Sequence, residues 1–172
     1  MTASKGKRLT LIRHANAEQD ADVRDFERPL SRKGQNEALE MARRFQERGL
    51  VPDLILASAA TRTRETAETF AKVLGVATRL MQADDALYLA EGDYILGVIR
   101  AVGPRVGHLM VFGHNPGISA AAISLAPEAI TNDLPTCGTL TMQVSCPTWN
   151  LIDRRCVRDS ERDSPRKFFD FS

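Results

Sequence analysis

Short apolar runs that stop on polar residues recur along this chain, and each is followed by a stretch with helical spacing. Leu9-Thr10-Leu11-Ile12 runs into Arg13-His14-Ala15, and Asp53-Leu54-Ile55-Leu56-Ala57 runs into Ser58 and then Arg62. His108-Leu109-Met110-Val111-Phe112 runs into Gly113-His114-Asn115-Pro116. Near-continuous apolar runs of this length are expected of strands covered on both faces. Ala38, Met41, Ala42 and Phe45 fall at i, i+3, i+4 and i+7, one face of a helix that Ser31 can cap and Gly49 ends. Ala67, Phe70, Ala71 and Leu74 repeat that spacing up to Gly75. Tyr94, Ile95, Val98, Ile99 and Val102 give a third helical face, broken by Gly103-Pro104. Pro116 suits the first turn of a fourth helix running through Ile118 to Leu125, with Asn115 as its cap.

Three further stretches read as strands. Val76 to Leu80 is a short one. Thr139 to Val144 alternates, with Leu140, Met142 and Val144 on one face, and reads as an edge strand paired in a hairpin with Trp149 to Ile152. The rest is irregular. Residues 1–8 read as a fraying start, and Asn16 to Leu30 as a long polar surface loop beside the first strand. Asp153 to Lys167 carries six basic and four acidic residues and reads as a solvated loop or tail, with Phe168, Phe169 and Phe171 folding back at the end. Strands alternating with helices, without a repeat or a linker, predict one α/β domain over residues 1–172. The expected architecture is a three-layer α/β/α sandwich with a mostly parallel central sheet.

Composition narrows the function classes. The chain has 172 residues, 43% hydrophobic and 26% charged, and a net charge of +1. No global field favours nucleic acid or an anionic membrane, so basic residues matter only where they converge. No apolar run approaches the roughly 20 residues of a membrane span, and Met1 to Arg8 is polar with no signal-peptide core after it. Cys137, Cys146 and Cys156 are odd in number and lack metal-ligand spacing, which predicts reduced thiols in a cytoplasmic protein.

The chemistry sits where the apolar runs end. If the three polar-ended strands are parallel neighbours, their carboxyl ends share the sheet edge at which open α/β folds bind ligands. Arg13, His14, Arg62 and His114 then gather there: two arginines and two histidines, an anion site suited to phosphate. The planar fork of arginine makes paired charged hydrogen bonds to phosphate. The free N–H groups of the helix start after His114 favour an anion as well. A neutral histidine among arginines can attack phosphorus and carry the phosphoryl group until water removes it. Such chemistry needs no metal and no cofactor. His108 opens its strand at the end opposite His114 and is expected to be structural or exposed, away from the site.

These residues resemble the histidine phosphatase superfamily, which includes the phosphoglycerate mutases. The superfamily signature is Arg-His-Gly at the end of the first strand, and this chain has Arg13-His14-Ala15. The chain looks most like the SixA-type phosphohistidine phosphatases. The matching stretches are Leu11-Ile12-Arg13-His14-Ala15, Arg28-Pro29-Leu30-Ser31-x-x-Gly34, Ser58-Ala59-x-x-Arg62-Thr63-x-x-Thr66-Ala67, Leu87-Tyr88 and Gly113-His114-Asn115-Pro116-Gly117. Leu134-Pro135-Thr136 and Ser164-Pro165-Arg166-Lys167 are weaker echoes. The resemblance implies a phosphoglycerate mutase-like fold, His14 as nucleophile, and Arg13, Arg62 and His114 as phosphoryl ligands, with Asn16 adding to the pocket. Alanine in place of the signature glycine is small enough for the turn to survive. Larger members carry a general acid on an insert after the third strand; here that segment is short, and Glu91, Asp84 and Asp85 are its nearest acidic residues. A short connection implies an open site able to admit a phosphorylated side chain of another protein, such as a histidine-containing phosphotransfer domain. The alternatives are a small-molecule phosphomonoesterase and a phosphate-binding module without turnover.

Overall fold

The computed structural model describes residues 6–166. Six strands form one sheet: β1 (Lys7–Arg13), β2 (Leu54–Ser58), β3 (Met81–Asp84), β4 (His108–Gly113), β5 (Thr139–Val144) and β6 (Val157–Asp163), in the order β3-β2-β4-β1-β5-β6. The pairs β3–β2, β2–β4 and β4–β1 are parallel, whereas β5 runs antiparallel to β1 and to β6. The parallel part requires crossovers, supplied by α1 (Arg32–Glu47), α2 (Thr61–Leu74) and α3 (Gly92–Arg100); α4 (Gly117–Leu125) follows β4.

Side chains leave the strands alternately to the two faces, and this divides the core in two. Ile12, Ile55, Ala57, Met110 and Phe112 pack with Met41, Phe45 and Phe70 of α1 and α2. Leu9, Leu11, Leu56, Leu109 and Val111 pack with Ile95, Ile99, Ile118 and Trp149 on the opposite face. The result is the expected three-layer sandwich. Phe70 is fully buried and meets Phe45 and Phe112 edge-on, at ring centroid distances of 5.7 and 5.1 Å. Burying a side chain of this size contributes roughly 1.5–3 kcal/mol.

The helix stops follow the sequence. Ser31 accepts the Gly34 N–H as the cap of α1, and Gly49 and Gly75 sit at positive φ where α1 and α2 end. Two other glycines are set by space: a Cβ on Gly117 would lie 1.8 Å from the Ala90 carbonyl oxygen, and one on Gly92 would lie 3.0 Å from Ala120 Cβ. The starts of α3 and α4 therefore interlock.

Several expectations are corrected. β1 begins at Lys7, inside the stretch read as fraying. The third strand lies four residues or so later than expected: Thr78–Leu80 is a 3₁₀ turn and Met81–Asp84 pairs with β2. β5 is not an edge strand, because β6 covers it. Trp149–Leu151 forms a 3₁₀ turn rather than a hairpin strand, with Trp149 buried and its Nε1 donating to Val106 O at 2.9 Å. β6 comes from the charged run read as a solvated tail. Its backbone pairs while its charges face water, a common way of keeping an edge strand soluble, and Arg44–Asp163 at 2.6 Å and Arg48–Glu161 tie it to α1. Asn115 does not cap α4; its Nδ2 donates to Leu134 O at 2.9 Å and its Oδ1 accepts from Ser119. Phe168, Phe169 and Phe171 lie outside the described residues.

Candidate active site

β4 lies between β2 and β1, so the carboxyl ends of the three polar-ended strands are adjacent. Arg13 pairs with Gly113, and the His14 N–H donates to Gly113 O at 3.1 Å. Arg62 enters from the first turn of α2, four residues beyond Ser58. His14, Arg62 and His114 meet as expected from the sequence, with the two imidazole centroids 5.2 Å apart. Arg13 flanks them and donates to Leu134 O at 3.1 Å, while its buried Nε has no hydrogen-bond partner among the described residues.

His14 is oriented by its own backbone. Nδ1 lies 2.7 Å from Ala15 O. A carbonyl only accepts, so Nδ1 carries the proton and Nε2 has the lone pair. Arg62 Nε donates to that Nε2 at 3.3 Å. Burial, with the charges of Arg62, Arg13 and Arg28 adding to it, pushes the His14 pKa down to about 4 against the opposing bond to Ala15 O. The ring is neutral at neutral pH, as a nitrogen nucleophile must be. Thr66 fixes the next residue, accepting the Ala15 N–H at 3.1 Å and donating to Arg62 O at 2.7 Å. Ala15 is fully buried with ordinary backbone; Leu89 and Cys137 are the non-glycine residues at positive φ among those described. The alanine fits where the signature has glycine.

His114 is buried at the start of α4. Its Nε2 faces Ser58 Oγ at 2.8 Å and Thr63 Oγ1 at 3.2 Å, and its Nδ1 lies 3.4 Å from Arg62 Nη2. Burial first, then the charges of His14 and Arg62, hold its pKa at about 3.

Three residues given no role in the sequence reading complete the site. The loop after β1 is pinched at its base by an Ala17–Leu30 bridge, and its 3₁₀ turn at Asp25–Glu27 turns back over the sheet edge. There Arg62 donates through Nη1 to Asp25 O at 2.6 Å and through Nη2 to Asp25 Oδ2 at 3.1 Å. Arg28 holds the other carboxylate oxygen at 2.7 Å, and Tyr88 donates its hydroxyl to Asp25 Oδ2. The Tyr88 hydrogen bond, then Arg28 and Arg62, keep Asp25 well below the usual carboxylate range. Tyr88 also packs edge-on against His114, at 5.4 Å between centroids. Asp-x-x-Arg in a turn is the local signal for Asp25–Arg28. Among the acidic residues of this loop Asp25 alone has an arginine three residues on, but that spacing carries no sign that the pair reaches Arg62.

The expected neighbours behave differently. Asn16 accepts through Oδ1 from Ser31 Oγ at 2.6 Å, and its N–H donates to Glu37 at 2.9 Å, which ties it to the start of α1. Asp84 caps its own turn by accepting the Ala86 N–H at 2.8 Å, and Glu91 precedes α3 without a cap bond. His108 lies at the far end of β4 on Thr10 Oγ1 at 2.9 Å, as expected of a structural residue. No helix among the described residues is long and apolar enough to cross a membrane.

Comparison with known proteins agrees with this geometry. The profile of the histidine phosphatase superfamily (branch 1) matches residues 9–87. An uncharacterized chloroplastic protein of Arabidopsis thaliana is 32% identical over 157 residues, covering 86% of this chain and 71% of its own. A crystal structure of a candidate phosphohistidine phosphatase SixA from Agrobacterium tumefaciens is 31% identical, with a TM-score of 0.74 over 80% of this chain and 92% of that one. The protein histidine phosphatase SixA in complex with tungstate shares the fold at 18% identity, with a TM-score of 0.73 over 91% and 94% of the two chains. With its Arg-His strand end, second arginine and second histidine at one sheet edge, this chain belongs to the histidine phosphatase superfamily.

Proposed function

We propose that this protein is a phosphohistidine phosphatase that removes the phosphoryl group from a phosphorylated protein through a covalent intermediate on His14. The observation that carries the reading is the state of His14: neutral, its Nδ1–H given to Ala15 O, and its unprotonated Nε2 directed at Arg62, with the His114 ring 5.2 Å away. In the first step Nε2 forms a bond to phosphorus as the bond to the donor nitrogen breaks, and the departing imidazole takes its proton from water. In the second step water attacks the phosphoryl group on Nε2, inorganic phosphate leaves, and His14 returns to its neutral form. Arg13, Arg62 and His114 stabilise the charge on the phosphoryl oxygens. Asn16 joins them through its amide nitrogen, since its oxygen is committed to Ser31. No step requires a metal or a cofactor.

The substrate class is supported by the carboxylate at the site. Asp25 is bonded by Tyr88, Arg28 and Arg62, which favour its ionised form and make it a poor proton donor. A phosphoramidate leaves with less protonation than an alkyl ester does. The short connection carrying Tyr88 between β3 and α3 supports an open site that takes a side chain from another protein. Three free thiols among the described residues support a reducing compartment, the cytoplasm in this reading. The whole chain is read as one histidine phosphatase domain.

A single-turnover experiment with a radiolabelled phosphohistidine carrier domain tests the reading. Label is expected to leave the donor and pass through an acid-labile adduct that the His14→Ala protein does not form, with turnover lower by roughly 10⁴-fold or more. Donor that keeps its label while metabolite esters are hydrolysed through His14 would make the protein a small-molecule phosphomonoesterase. Tight vanadate binding without turnover of either would make it a phosphate-binding module.

A further inference from the structure

Ser58 and Thr63 are buried hydroxyls at the end of β2 and the start of α2, each with no measurable exposure. Both point at one atom, His114 Nε2, at 2.8 and 3.2 Å. Ser58 Oγ also accepts the Ala60 N–H at 3.2 Å. Each hydroxyl has one hydrogen to donate, and among the described residues the one acceptor in hydrogen-bond reach of either is His114 Nε2. A buried hydroxyl without an acceptor is costly. A bare Nε2 gives the two hydroxyls one lone pair to share, whereas an Nε2–H would leave both without an acceptor, and this places the single proton of the neutral ring on Nδ1.

Nδ1 faces the catalytic gap, 3.4 Å from Arg62 Nη2. With a proton there, two donors face each other. Such a pair is favourable only with an anionic oxygen between them. In the opposite tautomer Arg62 would donate to Nδ1, and His114 would have no hydrogen to give a phosphoryl oxygen. The hydroxyl pair and Arg62 thus favour different tautomers, and a phosphoryl group decides in favour of the hydroxyls.

We infer that Ser58 and Thr63 are positioning residues: by donating to Nε2 they hold His114 as the neutral Nδ1–H tautomer, so that it gives a hydrogen bond to the phosphoryl oxygen rather than accepting one from Arg62. The inference rests on the reading of this edge as a phosphoryl-transfer site, but not on the identity of the phosphoprotein. It also gives the two histidines complementary parts. His14 has its Nδ1 proton taken up by a carbonyl and offers a lone pair. His114 has its Nε2 lone pair taken up by hydroxyls and offers a proton.

The test is nitrogen-resolved NMR of the His114 ring in the full chain with orthovanadate bound, comparing the unaltered protein with Ser58→Ala, Thr63→Val and the double variant. The unaltered protein is expected to carry the proton on Nδ1, and the double variant to shift it to Nε2. The maximal rate on p-nitrophenyl phosphate should fall about tenfold in the double variant, the equivalent of one hydrogen bond weakened in the transition state. Ser58→Thr keeps the hydroxyl and should restore the Nδ1 proton. An Nε2 proton in the unaltered complex, or an Nδ1 proton that survives in the folded double variant, would overturn the assignment. If the tautomers shift as stated while phosphohistidine protein is not a substrate, the proposed function fails and this assignment stands.

Discussion

His108 and His114 bracket the same strand, and the two ends of β4 show what separates a buried histidine from a working one. Both are nearly inaccessible, and burial is the first cause of a lowered pKa in each, to about 4 and about 3. At the His108 end the neighbours are Thr10, hydrogen-bonded to its ring, a single cation, Arg8, and Asp53, whose carboxylate accepts the His108 N–H at 2.8 Å. At the His114 end the neighbours are a second histidine, three arginines and a carboxylate that two of them, Arg28 and Arg62, hold. A perturbed pKa is therefore shared by both ends and marks neither as functional. Convergence of cations on an open sheet edge distinguishes them. The lesson is general for parallel sheets: strand carboxyl ends collect chemistry, strand amino ends collect packing.

Beside the loss expected of His14→Ala, one substitution breaks the His114 end alone. Arg62→Lys keeps the charge but loses the fork that reaches His14, Asp25 and His114 together, and should lower kcat/KM on p-nitrophenyl phosphate by about 100-fold. The mirror experiment is His108→Gln. It should cost roughly 1–2 kcal/mol in urea unfolding through the lost Thr10 bond, while the rate stays within about twofold. A large rate loss in that variant would erase the distinction between the ends. Asp25→Asn sharpens it from the other side. Asp25 lies between Arg28 and Arg62, and removing its carboxylate raises the positive charge of the edge by one. Inorganic phosphate should then inhibit severalfold more strongly, measured as its product-inhibition constant.

A change of pH treats both ends alike. His14, His108 and His114 have folded pKa values of about 4, 4 and 3, below the ordinary 6.5. Between pH 6.5 and about 4 the unfolded chain binds protons that the folded chain does not. Their contribution to stability is thus fully present above pH 6.5 and falls as pH drops through that window. Thermal unfolding should show a lower Tm at pH 4.5 than at pH 7. The drop should shrink in His108→Gln.

The parts of this arrangement that depend on local pattern were legible in the chain. Arg13-His14, Ser58 with Arg62, and Gly113-His114 each close an apolar run, and parallel pairing brings them together without further information. What was not legible depends on pairing across distance. β6 hides in a charged run because its backbone, not its side chains, makes the ladder with β5; once it pairs, β5 is interior rather than an edge. Asp25 reaches Arg62 only because the loop is pinched at Ala17 and Leu30, a closure that no local spacing encodes. Asn115 sits where a cap is expected, yet its side chain serves Ser119 and Leu134 instead. The Ser58 and Thr63 hydroxyls were visible as residues of a motif, but their shared target is a ring one strand away.

The glycine contacts at the starts of α3 and α4 bear on how this fold can be remodelled. Gly117, three residues after His114, leaves no room beside the Ala90 carbonyl, and Gly92 rests on Ala120. Any lengthening of the chain between Ala90 and Gly92 would push directly on the helix that carries His114. Leu89, just upstream, is 56% exposed and holds a left-handed backbone that leucine rarely adopts. Leu89 therefore separates Tyr88, which is fixed on Asp25 and His114, from Ala90, which is fixed against Gly117, and chain added at Leu89 presses least on either. The same scaffold can thus be closed over small substrates by growth at a single junction.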